Sequence, residues 1–127
     1  MRVIVTKDCG RECRKEKVHD SALVDAALRI VEGKVDADLG GYLVKQHVSQ
    51  AGGRQGAHRA IIAYCDHDRI VVLHVFAKNR KANLTSVEQR VFRDIARELK
   101  KLQTEHFEAL IVQRAWAQIF NDEQEDL

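Results

Sequence analysis

The feature that most constrains this chain is a pair of apolar runs, His58–Cys65 and Arg69–Ala77, joined by Asp66-His67-Asp68. Strand formers fill both runs and Asp is a favoured turn former, so the segment predicts a β-hairpin. A further strand-forming stretch, Tyr42–Val48, precedes it across Ala51-Gly52-Gly53-Arg54-Gln55-Gly56, a turn too flexible to continue either strand. Three strands connected in this way form an antiparallel sheet. Alternation within Tyr42–Val48 puts Leu43, Lys45 and His47 on one face and Tyr42, Val44 and Val48 on the other.

The flanks supply the other layers. Arg2–Thr6 alternates and reads as a fourth strand. Lys7–Lys17 is charged with few apolar anchors and predicts at most a short exposed helix, weakened by Gly10. Asp20 or Ser21 offers an N-cap to a firmer helix carrying Leu23, Ala26, Ala27, Ile30 and Val31, with Gly33 as its stop. Asp36–Gly41 reads as a loop, and so does the basic stretch Lys78–Leu84. Thr85 and Glu88 match a capping box, opening a helix striped by Val91, Ile95, Leu99 and Leu102. Thr104 offers a cap to one more helix through Phe107, Leu110 and Ile111, and Arg114–Phe120 fits either its extension or an edge strand. The expected fold is α+β: an N-terminal strand and helical pair, a three-stranded antiparallel core (four strands in all) and a C-terminal helix. Its helices cover one face and leave the other free for function.

Composition narrows the classes. The 127 residues suit a single domain, expected over 1–120, followed by an acidic tail at 121–127 expected to be disordered. Apolar residues make up 45% and charged residues 31%, too apolar for wholesale disorder. Ile70–Ala77 is far shorter than the roughly 20 residues that span a bilayer. No basic segment followed by an apolar one opens the chain, so secretion is not expected, and three cysteines do not make a disulfide framework. A reducing, cytoplasmic compartment follows. The net charge of +2 conceals a basic middle: between Gly41 and Asn83, seven Lys and Arg face only Asp66 and Asp68. Such a surface suits a polyanion.

Several chemistries find little support. Cys9 and Cys13 have CxxxC spacing, with His19 six residues on, but no second Cys/His pair follows, and Cys65 lies in a predicted strand. A structural zinc site needs four converging ligands, so neither metal nor other cofactor is expected. Gly52–Gly56 lacks the Gly-Lys-Ser/Thr ending of a phosphate loop and joins strand to strand. Asp66 and Asp68 are turn formers. What remains is a basic group of Lys45, His47, Arg54, Arg59, Lys78 and Arg80 on strands or their ends. Arg and Lys can stabilise a pentacoordinate phosphate and His can move a proton, while RNA carries its own nucleophile in the 2′-OH. A solvated basic face remains the plainer alternative.

Three blocks carry a family resemblance: Asp36-Ala37-Asp38-Leu39-Gly40-Gly41-Tyr42-Leu43-Val44-Lys45, Gly53-Arg54-Gln55-Gly56-Ala57-His58-Arg59, and Phe76-Ala77-Lys78-Asn79-Arg80-Lys81-Ala82-Asn83. In their order and spacing, over about Leu23 to Leu110, the chain resembles the RelE/ParE toxins of bacterial toxin–antitoxin pairs, close to the HigB-like branch. The resemblance implies a fold similar to microbial RNases and an mRNA endonuclease acting on the ribosome, inhibiting translation, and held inactive by a cognate antitoxin. By position, Lys45, Arg59 and Lys78 match the family's basic residues. Arg54 stands where the family more often has Lys, while Gln55, Ala57 and His58 depart from its usual Gly-rich turn. His47, sharing a face with Lys45, is the better acid/base candidate than His74, and Asn79, Arg80 and Lys81 are candidate RNA contacts. The tyrosine that many relatives place near the C-terminus is missing; Trp116 is the available aromatic, with core packing as its plainer role. Two other functions stay open: a non-enzymatic binder of DNA gyrase, as among ParE relatives, and a degenerate nucleic-acid- or antitoxin-binding relative.

Overall fold

The hairpin expected at 58–77 forms the middle of a six-stranded sheet of order β2-β3-β4-β5-β1-β6. The computed structural model describes residues 1–49 and 57–122. Its elements are β1 (Arg2–Val5), α1 (Lys7–Glu16), α2 (Asp20–Val31), β2 (Ala37–Gly40), β3 (Leu43–Val48), β4 (His58–Asp66), β5 (Arg69–Ala77), α3 (Ser86–Lys101), α4 (Thr104–Arg114) and β6 (Ala117–Asn121). The Gly-rich turn with Arg54, and residues 123–127 of the acidic tail, lie outside the described residues. Of that tail, Asn121 closes β6, and Asp122 accepts a hydrogen bond from the Met1 amino group.

The α+β class holds, but the described residues form six strands, not four. The added strands sit at the two edges. β2 falls inside the expected loop 36–41 and pairs antiparallel with β3, Ala37 opposite Lys45 and Asp38 opposite Val44. Asp38 is a poor strand former and Gly40 takes a positive φ of 79°, so their place in a strand comes from the open edge of β3 and not from local preference. β6 resolves the ambiguity at 114–120 in favour of a strand. Ala115 takes a left-handed φ of 55°, ending α4, and the chain then pairs antiparallel with β1. β1 in turn lies parallel to β5, Val3 opposite Ile70 and Val5 opposite Val72.

Both faces of the sheet are covered, which corrects the expectation of one free face. On one side α1 and α2 bury Cys9, Cys13, Leu23, Ala26 and Ile30 against Val44, Val48, Ala60, Ile62, Ile70 and Val72. On the other, α3 and α4 bury Ala96, Leu99, Phe107 and Ile111 against Ile4, Leu43, Ile61, Ala63 and Val71. Strands buried on two faces are near-continuously apolar, as Ile70–Leu73 is. Each such large side chain contributes about 1.5–3 kcal/mol of apolar burial.

α1 is a full helix of ten residues despite Gly10. Thr6 caps it by accepting from the Cys9 N–H, and Cys9 and Cys13, four apart, provide the apolar anchors that their small size concealed in the sequence. α2 begins after His19, not Asp20 or Ser21, without a side-chain cap; Gly33 at φ 83° ends it as expected. The capping box of α3 is present in both directions, Glu88 N–H to Thr85 Oγ1 at 3.1 Å and Thr85 N–H to Glu88 Oε1 at 2.9 Å. For α4 the N-cap is Gln103, so Thr104 is the first helical residue. No helix is long and apolar enough to cross a membrane among the described residues.

Candidate active site

The register of β3, β4 and β5 determines which basic side chains meet. His47, Arg59 and Phe76 form one cross-strand row, and Lys45, Ile61 and His74 form the next. Directly opposed residues of an antiparallel pair share a face, with Cβ atoms about 4.5–5.5 Å apart. Ile61 and Phe76 belong to the α3/α4 core, so Lys45, His47 and Arg59 all stand on that side of the sheet.

His47 is held by a carboxylate. Its Nδ1 lies 2.8 Å from Asp36 Oδ2, and its backbone N–H donates to the same oxygen at 2.7 Å. Burial raises the Asp36 pKa, but the two hydrogen bonds from His47, together with the charges of His47 and Arg29, outweigh it and hold the carboxyl below its ordinary range. Arg29 of α2 reaches Asp36 Oδ2 at 3.3 Å and also donates to the His47 carbonyl. With Nδ1 directed at a carboxylate, the neutral ring carries its proton there and leaves Nε2 as an acceptor. The His47 side chain is 44% exposed, so that acceptor is within reach of a substrate.

The turn before β2 is placed by a buried polar group. Gln46 is fully buried on the α2 side: its Oε1 accepts the Asp36 N–H at 2.6 Å, and its Nε2 donates to the carbonyls of Ala26 and Lys34 at 3.3 and 3.2 Å. Neighbouring residues of β3 therefore point to opposite faces, and both act on Asp36.

Arg59 is the buried cation of the group. It is 8% exposed, and its Nη1 donates to the His58 carbonyl at 3.1 Å. Lys45 Nζ donates to Asn83 Oδ1 at 2.9 Å, tying β3 to the loop that precedes α3. Lys81 pairs with Glu88 and stands 5.9 Å from the Phe76 ring centre. The Lys81 hydrogen bond, with that from the Thr85 backbone, lowers the Glu88 carboxyl to about 2.

Other expected residues lie elsewhere. Lys78, Asn79 and Arg80 line a groove with His58, on the other side of the sheet from Arg59. His74 is enclosed: its ring stacks on Phe76 and Phe92 at 5.3 and 5.4 Å, and its Nδ1 meets Glu12 Oε2 at 2.7 Å. Its Nε2 is buried without a hydrogen-bond partner among the described residues. Trp116 packs against the α3/α4 core and borders an apolar cleft of about 610 Å³ with Leu73, Phe92 and Ile95. Among the described residues, no three His, Cys, Asp or Glu side chains converge to hold a metal ion.

The contacts missing from the sequence reading are Asp36 on His47, Gln46 behind Asp36, and Asn83 on Lys45. Asp36 and His47 are eleven apart, a spacing that corresponds to no helical or turn motif; only the unexpected β2–β3 pairing brings them together. Gln46 was detectable as the polar residue on the otherwise apolar face of Val44 and Val48.

The family model of the RelE toxin of the RelE/RelB toxin–antitoxin system matches residues 1–119. The chain belongs to the RelE toxin family. The match takes in every helix and nearly all of the sheet, ending within β6. No curated protein and no solved structure matches the chain. As a RelE-family toxin the protein has a cognate antitoxin as its implied partner.

Proposed function

We propose that this RelE-family toxin is an mRNA endonuclease, working on ribosome-bound message in the cytoplasm and so inhibiting translation. The observation that carries this reading is the cross-strand pair of His47 and Arg59, an imidazole oriented by Asp36 beside a guanidinium on the same face. In the proposed reaction His47 Nε2 takes the proton of an RNA 2′-OH. The O2′ attacks the adjacent phosphorus, the P–O5′ bond breaks, and a 2′,3′-cyclic phosphate and a 5′-hydroxyl result. Lys45 supplies the proton to the departing O5′. Arg59 donates to the non-bridging oxygens, whose charge grows in the transition state. Arg54 adds positive charge toward the phosphate, and Lys78, Asn79, Arg80 and Lys81 contact the RNA beyond it. No metal enters this scheme.

The test is to induce the chain and its Arg59→Ala variant in cells and map new 5′ ends in mRNA, with thermal melting of both purified proteins. The expected result is new 5′-hydroxyl ends within translated messages for the parent. They fall by about 10²–10³ in rate for the variant, the usual cost of losing a donor aimed at developing charge. Cleavage by Arg59→Ala at the parent rate overturns the site. Growth arrest with DNA breaks and no new mRNA ends overturns the nuclease reading in favour of a gyrase binder.

A further inference from the structure

The sheet ends at the row Val48–His58–Ala77, one residue beyond the His47–Arg59–Phe76 row. Successive residues of a strand face opposite ways. The last row therefore faces α1 and α2, where Val48 joins their core. There a groove of about 560 Å³ opens between the C-terminal end of α1, the start of β4 and the loop after β5. Four cations border it, Lys15 and Lys17 from α1 and Lys78 and Arg80 from the loop, all of them exposed. Its carboxylate is Glu16, whose two oxygens are engaged by His58 Nε2 at 3.0 Å and Arg80 Nη1 at 2.7 Å. Lys15, Lys17 and Lys78 make no ion pair among the described residues.

The rim is held in place by backbone. Lys78 N–H donates to the Ala57 carbonyl at 3.0 Å, and the N–H groups of Arg80 and Lys81 both donate to Ala77 at 3.1 Å. Lys17 is fixed in the left-handed region at φ 58°, where its N–H caps α1 through Cys13 and Arg14. Like charges are thus assembled on a pre-formed surface, an arrangement that disfavours the empty groove and favours an anion bridging them.

We propose that this groove is a second RNA site, which holds backbone phosphates flanking the scissile one as a single strand passes around the end of the sheet. The proposal rests on the nuclease reading for its ligand. It takes Lys78 and Arg80 as residues that grip the strand from the α1 side, with Lys15 and Lys17 as their partners. The rim's four cations make the grip mainly one on phosphate, and its histidine is already bound to Glu16.

The test uses the full chain and a fluorescent 2′-O-methyl oligoribonucleotide, which lacks the nucleophile and reports binding without cleavage. Affinity is measured against salt for the parent, for Lys15→Gln/Lys17→Gln, and for the control Lys7→Gln/Lys34→Gln, which removes the same charge outside the groove. Each phosphate contact on a single strand contributes about 0.7 to the slope of log K against log salt. The groove variant should therefore lose about 1.4 in slope and roughly tenfold in affinity at low salt, and the control much less. Equal losses in both variants, or an unchanged slope in the groove variant, overturn the proposal. So does pyrophosphate competing as tightly as the oligonucleotide, which marks a site for small phosphates. Because cleavage is not the readout, a groove that binds RNA in a chain that cuts none refutes the nuclease reading alone.

Discussion

His47 Nδ1 and Asp36 Oδ2 stand 2.8 Å apart, and the same oxygen takes the His47 backbone N–H. Asp36 therefore orients the ring and selects its tautomer, as carboxylates do behind ligating and catalytic histidines. If His47 is the proton acceptor, His47→Ala should lower the cleavage rate about 10²-fold or more. Asp36→Asn should lower it less, about tenfold to 10²-fold, because the amide can hold the ring with its proton on the wrong nitrogen. Single-turnover cleavage of a model RNA, with Arg59→Ala as reference, checks both.

Gln46 links three backbone groups in the interior, from Ala26, Lys34 and Asp36. Gln46→Ala leaves them without these bonds and opens a cavity, an expected loss of about 2–4 kcal/mol. Gln46→Leu restores the volume but not the bonds and should recover only part of it. Urea unfolding with an unchanged m-value is the measurement.

Glu88 gives the fold an acid-sensitive contact at the start of α3. Its carboxyl sits at about 2, against an ordinary value of 4.5, because Lys81 and the Thr85 N–H favour the ionised form. Above about 4.5 it is ionised folded or unfolded, and its stabilisation is complete. As pH falls from there toward about 2 the unfolded chain takes up the proton first, so the stabilisation is lost across that window. The pair lies at the surface, so the effect should shrink at high salt. Glu88→Gln should flatten stability against pH between about 4.5 and about 2, read by denaturant unfolding at a series of pH values.

Two glycines at positive φ separate strain from crowding. At Gly33 (φ 83°) an added Cβ meets nothing within 4 Å, so Gly33→Ala should cost only the left-handed strain, about 1 kcal/mol. At Gly41 (φ 59°) it would stand 2.6 Å from Arg93 Cγ and 2.8 Å from Arg97 Nε. Arg93 cannot simply swing away, since its Nε donates to the Leu39 carbonyl at 3.0 Å. Gly41→Ala should therefore cost about 2–3 kcal/mol. Thermal melting of the two variants side by side decides it.

What was legible in the sequence was whatever depends on neighbours along the chain. The Asp66–Asp68 turn, the alternation of Leu43, Lys45 and His47, and the Thr85–Glu88 box are local signals, and each stands in the structure. β2 and β6 were not legible as strands because edge pairing supplied what their own residues lack. The anchoring of α1 was hidden in two cysteines, which invite a reading as metal ligands and not as apolar anchors. Lys45 and His47 share a face by their own alternation, whereas Arg59 joins them through the β3–β4 register, which the hairpin does not set. The Asp36 contact and the separation of Lys78 from Arg59 depended on β2 and on the twofold alternation at the very end of β4, neither of which spacing alone reveals.

The parallel pairing of β1 with β5 has a consequence for biosynthesis. β1 leaves the ribosome before the other strands of this sheet, yet its neighbours are β5, some sixty residues later, and β6 at the far end of the matched region. Until Ala117–Asn121 has been made, one side of β1 offers bare N–H and C=O groups to any strand that comes by. The hairpin bearing Arg59, by contrast, closes locally and early, together with Lys45 and His47. A nascent copy thus assembles the face of Lys45, His47 and Arg59 well before its sheet is sealed, and long-range closure of this kind is slow. Every molecule passes through an interval in which an incoming strand at β1 can compete with the protein's own last one.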